Sequence, residues 1–345
     1  MDANRMIVKF DLLFFLSYLR GCGLALRGVV CYDEGDDMRL ALAPMQDVTD
    51  LAFMRTLDRI GSLPDVFITA YFRSTRTTCA MAENNLRCIT GNETGVPIVA
   101  QLAGSEAAAL CRDAEALLQL PVAGINLNAG CPSPLVNRHG AGAGLLREPE
   151  NFLNIMQSLR GVVPAGLFSV KCRLGWSEPA EFDALLPLLE AGGADEVMVH
   201  ARTRRQLYGG VPQMQYIAQA VRALSCPVWA NGDIATPEDA AACLQGTGAA
   251  GLLIGRGAVR NPYLFRMLRG GAAPTKEEML HYYMVLIEET DRILHTKRTA
   301  EGHCNRMKKY LAFCYADFGA EDEYALRRCK NIDDMRRIFE RHAAS

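Results

Sequence analysis

The chain has 345 residues, half of them apolar, with 37 Lys and Arg against 39 Asp and Glu and a pI near 6.3. That size carries a large core plus a second, smaller unit, and the near-neutral balance gives no global signature of nucleic-acid binding, which is mild evidence against such a partner. Twelve cysteines without one C-x-x-C pair exclude a zinc site of the usual spacing and argue against a disulfide framework, so the thiols read as reduced, the protein as cytoplasmic, and no metal is expected.

The N-terminal run from Met6 to Leu16 is apolar, but Asp11 interrupts it and no small-x-small cleavage site closes it. It is also far shorter than the ~20 residues of a membrane span. Residues 1–37 therefore read as an extension outside the fold, and Met38 as the natural start of residues 38–270.

From there short apolar runs recur at 39–43, 65–69, 96–102, 123–128, 167–172, 195–200, 226–231 and 250–254. Between most of them lie helix-period stretches, at 106–120, 149–159, 179–191, 214–224 and 237–244. Runs of four to seven residues alternating with helices predict βα units around a parallel sheet. Eight units, with no G-x-G-x-x-G opening a helix, predict an α/β fold of the (β/α)8 TIM-barrel type rather than an open doubly wound sheet. After Asn261-Pro262 the rhythm changes. Residues 275–315 and 321–342 carry long helical patterns and no strand signal, which predicts a small all-helical C-terminal domain over 271–345. Its charges balance, yet Arg292, Lys297, Arg298, Arg306, Lys308 and Lys309 face one acid, Glu301, between 292 and 309. A solvated helix face is the commoner meaning of such a run. The interleaved Tyr310, Phe313 and Tyr315 raise the odds of a nucleic-acid surface.

In a TIM barrel function gathers at the C-terminal strand ends. Seven of the eight predicted ends are polar: Pro44-Met45-Gln46, Gln101, Asn128 with Cys131, Lys171 with Arg173, His200 with Arg202, Asn231-Gly232-Asp233, and Gly255-Arg256. Gly130 and Pro132 bracket the Cys131 thiol, so the strand stops there in a tight turn and offers the sulfur to a cleft. Such a thiol acts as nucleophile or as proton donor according to its pKa. The last two ends resemble a phosphate cradle, with backbone N–H groups at close approach and an arginine beside them. Lys171 and His200 point into the same mouth. Singly, each reads as a strand-end lysine and a core histidine; jointly they suit the electron-rich edge of a flavin.

Taken in order, Ala43-Pro44-Met45, Gln101, Asn128-x-Gly130-Cys131-Pro132, the GAGAGLL run from 140, Lys171-x-Arg173, His200-x-Arg202-Thr203-Arg204, Asn231-Gly232-Asp233 and Gly255-Arg256-Gly257 are similar to the tRNA-dihydrouridine synthases. Arg173-Leu174-Gly175-Trp176 and the helical tail are most like the C-type bacterial branch, whereas Ala201 stands where that family usually has glycine. The resemblance implies FMN held by Pro44, Met45, Gln46, Gln101, Lys171, His200, Asn231, Gly232, Asp233, Gly255 and Arg256, with NADPH as reductant. It implies Cys131 as proton donor to uracil C5, and substrate contacts from Asn128, Arg173, Arg202, Lys308 and Lys309. It also implies a uridine swung out of its stack in tRNA, the helical tail as docking surface, position 16 as the target, and a monomer. Three alternatives compete: an FMN-dependent dihydroorotate- or dihydropyrimidine-type oxidoreductase on a free small molecule, a silent RNA-binding barrel, and a redox-neutral enzyme on sugar phosphates. The last lacks paired carboxylates, since Asp233 is the lone acid at these strand ends.

Overall fold

The structure, a computed structural model, describes residues 38–77, 79–294 and 299–344. The expected extension at 1–37 and two members of the basic run, Lys297 and Arg298, lie outside the described residues.

Period-two alternation builds the barrel wall. On β1 (Arg39–Leu42), Leu40 and Leu42 pack outward into the main core, while Ala41 and Ala43 belong to a separate small cluster inside. The same logic runs through β2 (Val66–Ile68), β5 (Ile98–Ala103), β6 (Gly124–Ala129), β7 (Phe168–Arg173), β8 (Glu196–His200), β9 (Val228–Asn231) and β10 (Gly251–Ile254). These eight strands pair in parallel, each with its neighbours, and β1 closes the circle by pairing with both β2 and β10. The result is a closed (β/α)8 barrel.

Two further strands carry no sequence signal. β3 (Phe72–Ser74) continues beside the C-terminal end of β5, with Phe72 opposite Leu102, and β4 (Cys79–Ala80) returns antiparallel to it. Three residues with Arg73 exposed leave no apolar run to find.

Helices α1 (Leu51–Arg59), α2 (Glu83–Thr90), α3 (Ala107–Leu117), the single turn α4 (Pro134–Asn137), α5 (Pro149–Val162), α6 (Phe182–Ala191), α7 (Met214–Ala223) and α8 (Pro237–Thr247) fill the crossovers. Their ends follow local chemistry. α8 opens on a reciprocal Thr236–Asp239 capping box with Pro237 in its first turn, and stops where Gly248 takes a left-handed φ of 68°.

The barrel interior divides along its axis. Ala41, Ala43, Val66, Ile68, Met198, Trp229 and Leu253 form an apolar plug inside the barrel, whose upper members Ala43 and Leu253 already line the cavity above. Arg39 lies 4.5 Å from the Trp229 ring and 2.8 Å from Glu196 beneath them. Above this plug the inward side chains become polar, and the site begins.

After β10 come two short helices, α9 (Arg256–Arg260) and α10 (Leu264–Leu268), then α11 (Lys276–Leu294), α12 (Ala300–Leu311), α13 (Gly319–Arg328) and α14 (Ile332–Ala344). Tyr283 stacks on Phe339 at 4.3 Å with Phe318 against both, and this core is continuous with the layer outside the barrel. The seam is also polar. Asp50, the N-cap of α1, takes an ion pair from Arg306 and a 2.9 Å hydrogen bond from the Tyr310 hydroxyl, whose ring stacks on Phe53. Lys309 pairs with Asp47 at 2.9 Å, Arg59 reaches Glu288 and Glu289, and Arg260 pairs with Asp317.

Part of the basic run is engaged within the protein. Arg306 and Lys309 face acids of the β1–α1 loop, and Arg292 pairs with Glu289 at 2.9 Å. Arg306 and Lys309 tie the helical segment to the barrel, because acids about 260 positions away in sequence stand directly opposite them. Among the described residues no helix is long and apolar enough to cross a membrane.

Candidate active site at the barrel mouth

Register turns the polar strand ends into one surface. Asn128 lies opposite Lys171, Arg173 opposite His200, and His200 opposite Asn231. Below them a buried amide ladder crosses the wall. Asn128 Nδ2 donates to Gln101 Oε1 at 2.8 Å, Gln101 Nε2 to Asn126 Oδ1 at 2.8 Å, and Asn126 Nδ2 to Ser169 Oγ at 2.8 Å. Each amide is satisfied by the next, which offsets the desolvation of four buried polar groups and fixes their rotamers. Asn126 and Ser169 escape a reading of the sequence because they sit inside apolar runs.

These residues open on a cavity of about 470 Å³, within the range for small-molecule sites. Pro44, Met45, Gln46, Gln101, Asn128, Cys131, Lys171, Arg173, His200, Asn231, Gly232, Asp233, Gly255 and Arg256 all line it. The second strand end contributes as well, through Ala70 and Tyr71, and the helical tail sends in Phe313. Tyr71 carries no signal in the sequence, and Phe313 is marked there only as an aromatic beside the basic run of the tail, not as part of the mouth.

Arg202, Lys308 and Lys309 do not line the cavity. Arg202 is buried. Its guanidinium grips Asp233, and it donates to the Gly209 and Gly210 carbonyls at 3.0 and 2.5 Å. The expected phosphate or oxyanion contact is therefore corrected to a brace, since its donors are engaged within the protein. Lys309 is committed to Asp47, and Lys308 is half-buried on α12. Arg173 does reach the cavity wall but is also buried, donating Nε to Gly130 O at 2.8 Å and Nη1 to the Thr203 and Leu207 carbonyls at 2.9 and 2.8 Å. From the cavity wall it bridges the loops after β6 and β8.

Cys131 is half-buried on its turn. Asn128 Oδ1 accepts from the Gly130 and Cys131 N–H groups at 3.1 and 2.9 Å. With its amide nitrogen on Gln101, Asn128 therefore shapes the turn from the cavity wall. Burial pushes the Cys131 thiol up, against the opposing pull of Arg173 and Lys171. It stands as a protonated thiol at neutral pH, an acid rather than a resting nucleophile.

The opposing groups carry positive potential. Lys171 donates to Asn231 Oδ1 at 3.2 Å, and burial, helped by Arg173, pulls its pKa down to about 8. Burial and the same cations, Arg173 and Lys171 foremost, drive His200 well below the usual histidine range, so it is a neutral imidazole. Asp233 accepts from Arg202 and Arg256 and is held below the ordinary aspartate range, chiefly by the Arg202 bond. Arg256 also lies 4.6 Å from the Tyr208 ring. Gly232 and Gly255 let two loops converge: a Cβ on Gly232 would come within 3.1 Å of Pro212, and one on Gly255 within 3.1 Å of Met45 Sδ. A planar ring with an electron-rich, hydrogen-bond-accepting edge and a phosphate tail fits this set, since amide, ammonium and imidazole donors face the cavity and a glycine cradle with Arg256 closes one side. Among the described residues no group of His, Cys, Asp and Glu could hold a metal ion.

The family profile described as Dihydrouridine synthase (Dus) matches residues 41–341. A protein of Cupriavidus necator named tRNA-dihydrouridine(16) synthase is 33% identical over 314 residues, covering 88% of this chain and 96% of its own. A protein of the same name from Ralstonia nicotianae is 37% identical over 68% of this chain and 74% of its own, and one from Haemophilus influenzae is 30% identical over 87% and 98%.

Proposed function

Because this chain belongs to the dihydrouridine synthase family, we propose that it is a tRNA-dihydrouridine synthase that reduces the C5–C6 bond of a D-loop uridine, at position 16 as in the relatives' names. One observation carries the reading: a protonated thiol, a neutral imidazole, an ammonium and a glycine cradle line one cavity at the mouth of the barrel.

Gln101, Lys171, His200, Asn231, Gly232, Gly255 and Arg256 would hold FMN, with Pro44, Met45, Gln46 and Asp233 around it. Bound FMN, re-reduced by NADPH, supplies the hydride equivalent that the pyrimidine ring takes up at C6. The residues of the chain do the rest. Negative charge spreads over C5 and O4 of the pyrimidine, and Cys131 Sγ–H gives its proton to C5, leaving a thiolate that solvent reprotonates. Asn128 and Arg173 hold the turn that carries the sulfur. A stacked uridine reaches such a cavity only by extrusion. Residues 271–345, which send Phe313 to the cavity wall, serve as the docking unit for the rest of the tRNA, on faces other than the paired Arg306 and Lys309.

The test is a map of dihydrouridine across all tRNAs in a strain lacking this gene. Loss at position 16 alone is expected; an unchanged map defeats the proposal.

A second outcome follows from Lys171. Its pKa near 8 in the ligand-free protein means that it is charged below that value and neutral above it. An anionic ligand favours the charged form, so FMN binding takes up a proton above pH 8. Affinity is then expected to fall by up to about tenfold per pH unit from about pH 8 upward, and to stay level below it. Fluorescence quenching of FMN across this range measures the slope, and Lys171→Met should flatten it. A slope that persists in Lys171→Met would assign the proton to another group.

A further inference from the structure

Cys131 is held on both sides of its peptide, and one of the holding side chains has no part in the chemistry derived above. Asn137, the last residue of α4, is 9% exposed. Its Nδ2 donates to the Cys131 carbonyl at 2.8 Å and to the Ala141 carbonyl at 3.0 Å, while its Oδ1 accepts from Arg204 Nε at 3.0 Å. The guanidinium of Arg204 lies 4.7 Å from the Trp176 ring, which Arg147 also covers at 4.9 Å. The Arg204 backbone N–H is bonded to Gly175 O at 2.9 Å, which anchors the same residue a second time. A continuous series of contacts therefore runs from Trp176, after β7, through Arg204, after β8, to the turn that bears the thiol.

The packing leaves the turn little room elsewhere. Gly142 has φ +60°, and a Cβ there would stand 2.9 Å from Cys131 O and 3.0 Å from Cys131 Cβ. The Cys131 carbonyl also accepts from Ala143 N at 3.0 Å. Removing the Asn137 amide leaves that backbone bond in place, so the turn keeps a pivot and loses the contact that sets its angle. Proton transfer to carbon depends steeply on donor position, because a displacement near 1 Å costs on the order of 100-fold.

We propose that Asn137 is a positioning residue for the Cys131 thiol, anchored by Arg204 on Trp176, and that this series of contacts sets the rate of uridine reduction without touching substrate. The inference rests on Cys131 being the proton donor. Its consequence is separable from binding: the affected quantity is kcat, whereas KM for tRNA stays nearly level.

The experiment compares the unmodified protein with Asn137→Ala and Arg204→Lys. It measures flavin content, kcat and KM for unmodified tRNA, and the rate of Cys131 alkylation by iodoacetamide against pH, followed by peptide mass spectrometry. Asn137→Ala is expected to keep its flavin, lose about 30-fold in kcat with KM within about twofold, and alkylate at Cys131 several-fold faster. Arg204→Lys, which keeps the charge but loses the planar contact with Trp176 and the Nε bond, is expected to show the same pattern at about fivefold. An Asn137→Ala protein with unchanged kcat and an unchanged alkylation profile overturns the inference. If Asn137→Ala does not fold, the half-exposed Arg204→Lys site decides by the same two readouts. An unmodified protein inactive on tRNA defeats the proposed function instead, and the alkylation comparison still decides whether Asn137 holds the turn.

Discussion

Replacing Cys131 with alanine is expected to lower the turnover of tRNA uridine by about 10²- to 10⁴-fold while the protein keeps its flavin, the range for loss of a positioned general acid. Nothing that would hold FMN depends on the sulfur. The turn is fixed by Asn128, Asn137 and Ala143 through the Cys131 backbone, which alanine retains. What disappears is the proton donor, held in its acid form by burial. Single-turnover oxidation of the reduced enzyme by unmodified tRNA is the measurement that isolates this step. Cys131→Ser keeps a hydroxyl at the same place, but its far higher intrinsic pKa makes it a poor donor, so a loss of similar size is expected. A fully active Cys131→Ala protein would assign protonation of C5 to another group or to water.

Gly257→Ala is expected to cost about 3 kcal/mol of stability and most of the flavin occupancy, the upper end for forcing extra volume into a packed site. The Gly257 Cα lies where a Cβ would stand 2.0 Å from the Ile234 carbonyl oxygen and 3.0 Å from Ala235 Cα. Both are backbone of the loop after β9, so no side-chain rotation relieves the clash. The loop must move, and with it Gly232 and Asp233, on one side of the cavity. Gly246→Ala provides the control. That residue is exposed on α8 with nothing within 4 Å of an added Cβ, so alanine there should be neutral or stabilising by up to about 1 kcal/mol. Thermal unfolding with and without added FMN compares the two. Equal melting temperatures would refute the claim that this contact draws the two loops together.

Cys131 and Gly257 both fall in segments that the sequence itself marks, and the marks are local. The thiol between Gly130 and Pro132 announces a strand stopped by a turn. The polar residues at the ends of apolar runs announce a mouth, since a closed parallel barrel is apolar outside and tolerates polarity only where its interior meets solvent. Asn126 and Ser169 belong to the same surface but carry no such mark. One step deeper in the barrel, a polar residue amid apolar neighbours gives no local sign of whether a partner awaits it across the sheet.

The charged residues divide differently. As a residue type, Arg202 equally supports substrate binding and a structural brace, and only the position of Asp233 and of two loop carbonyls decides for the brace. The run around Arg306 likewise reads as a solvated face or a nucleic-acid surface, and it is Asp47 and Asp50, standing opposite it in the fold, that engage Lys309 and Arg306.

The chain by itself thus determined what the spacing of apolar runs and turn chemistry can encode: the eight strands, the cysteine turn and the polar mouth. These depend on neighbours a few positions away. Which arginines are engaged inside the protein, that Tyr71 and Phe313 complete the cavity, and that Asn137 reaches back to the Cys131 carbonyl were decided only by the tertiary structure. The physical reason is that the energy of a charge or an amide is set by its partner, and here those partners lie from 6 to about 260 residues away in sequence.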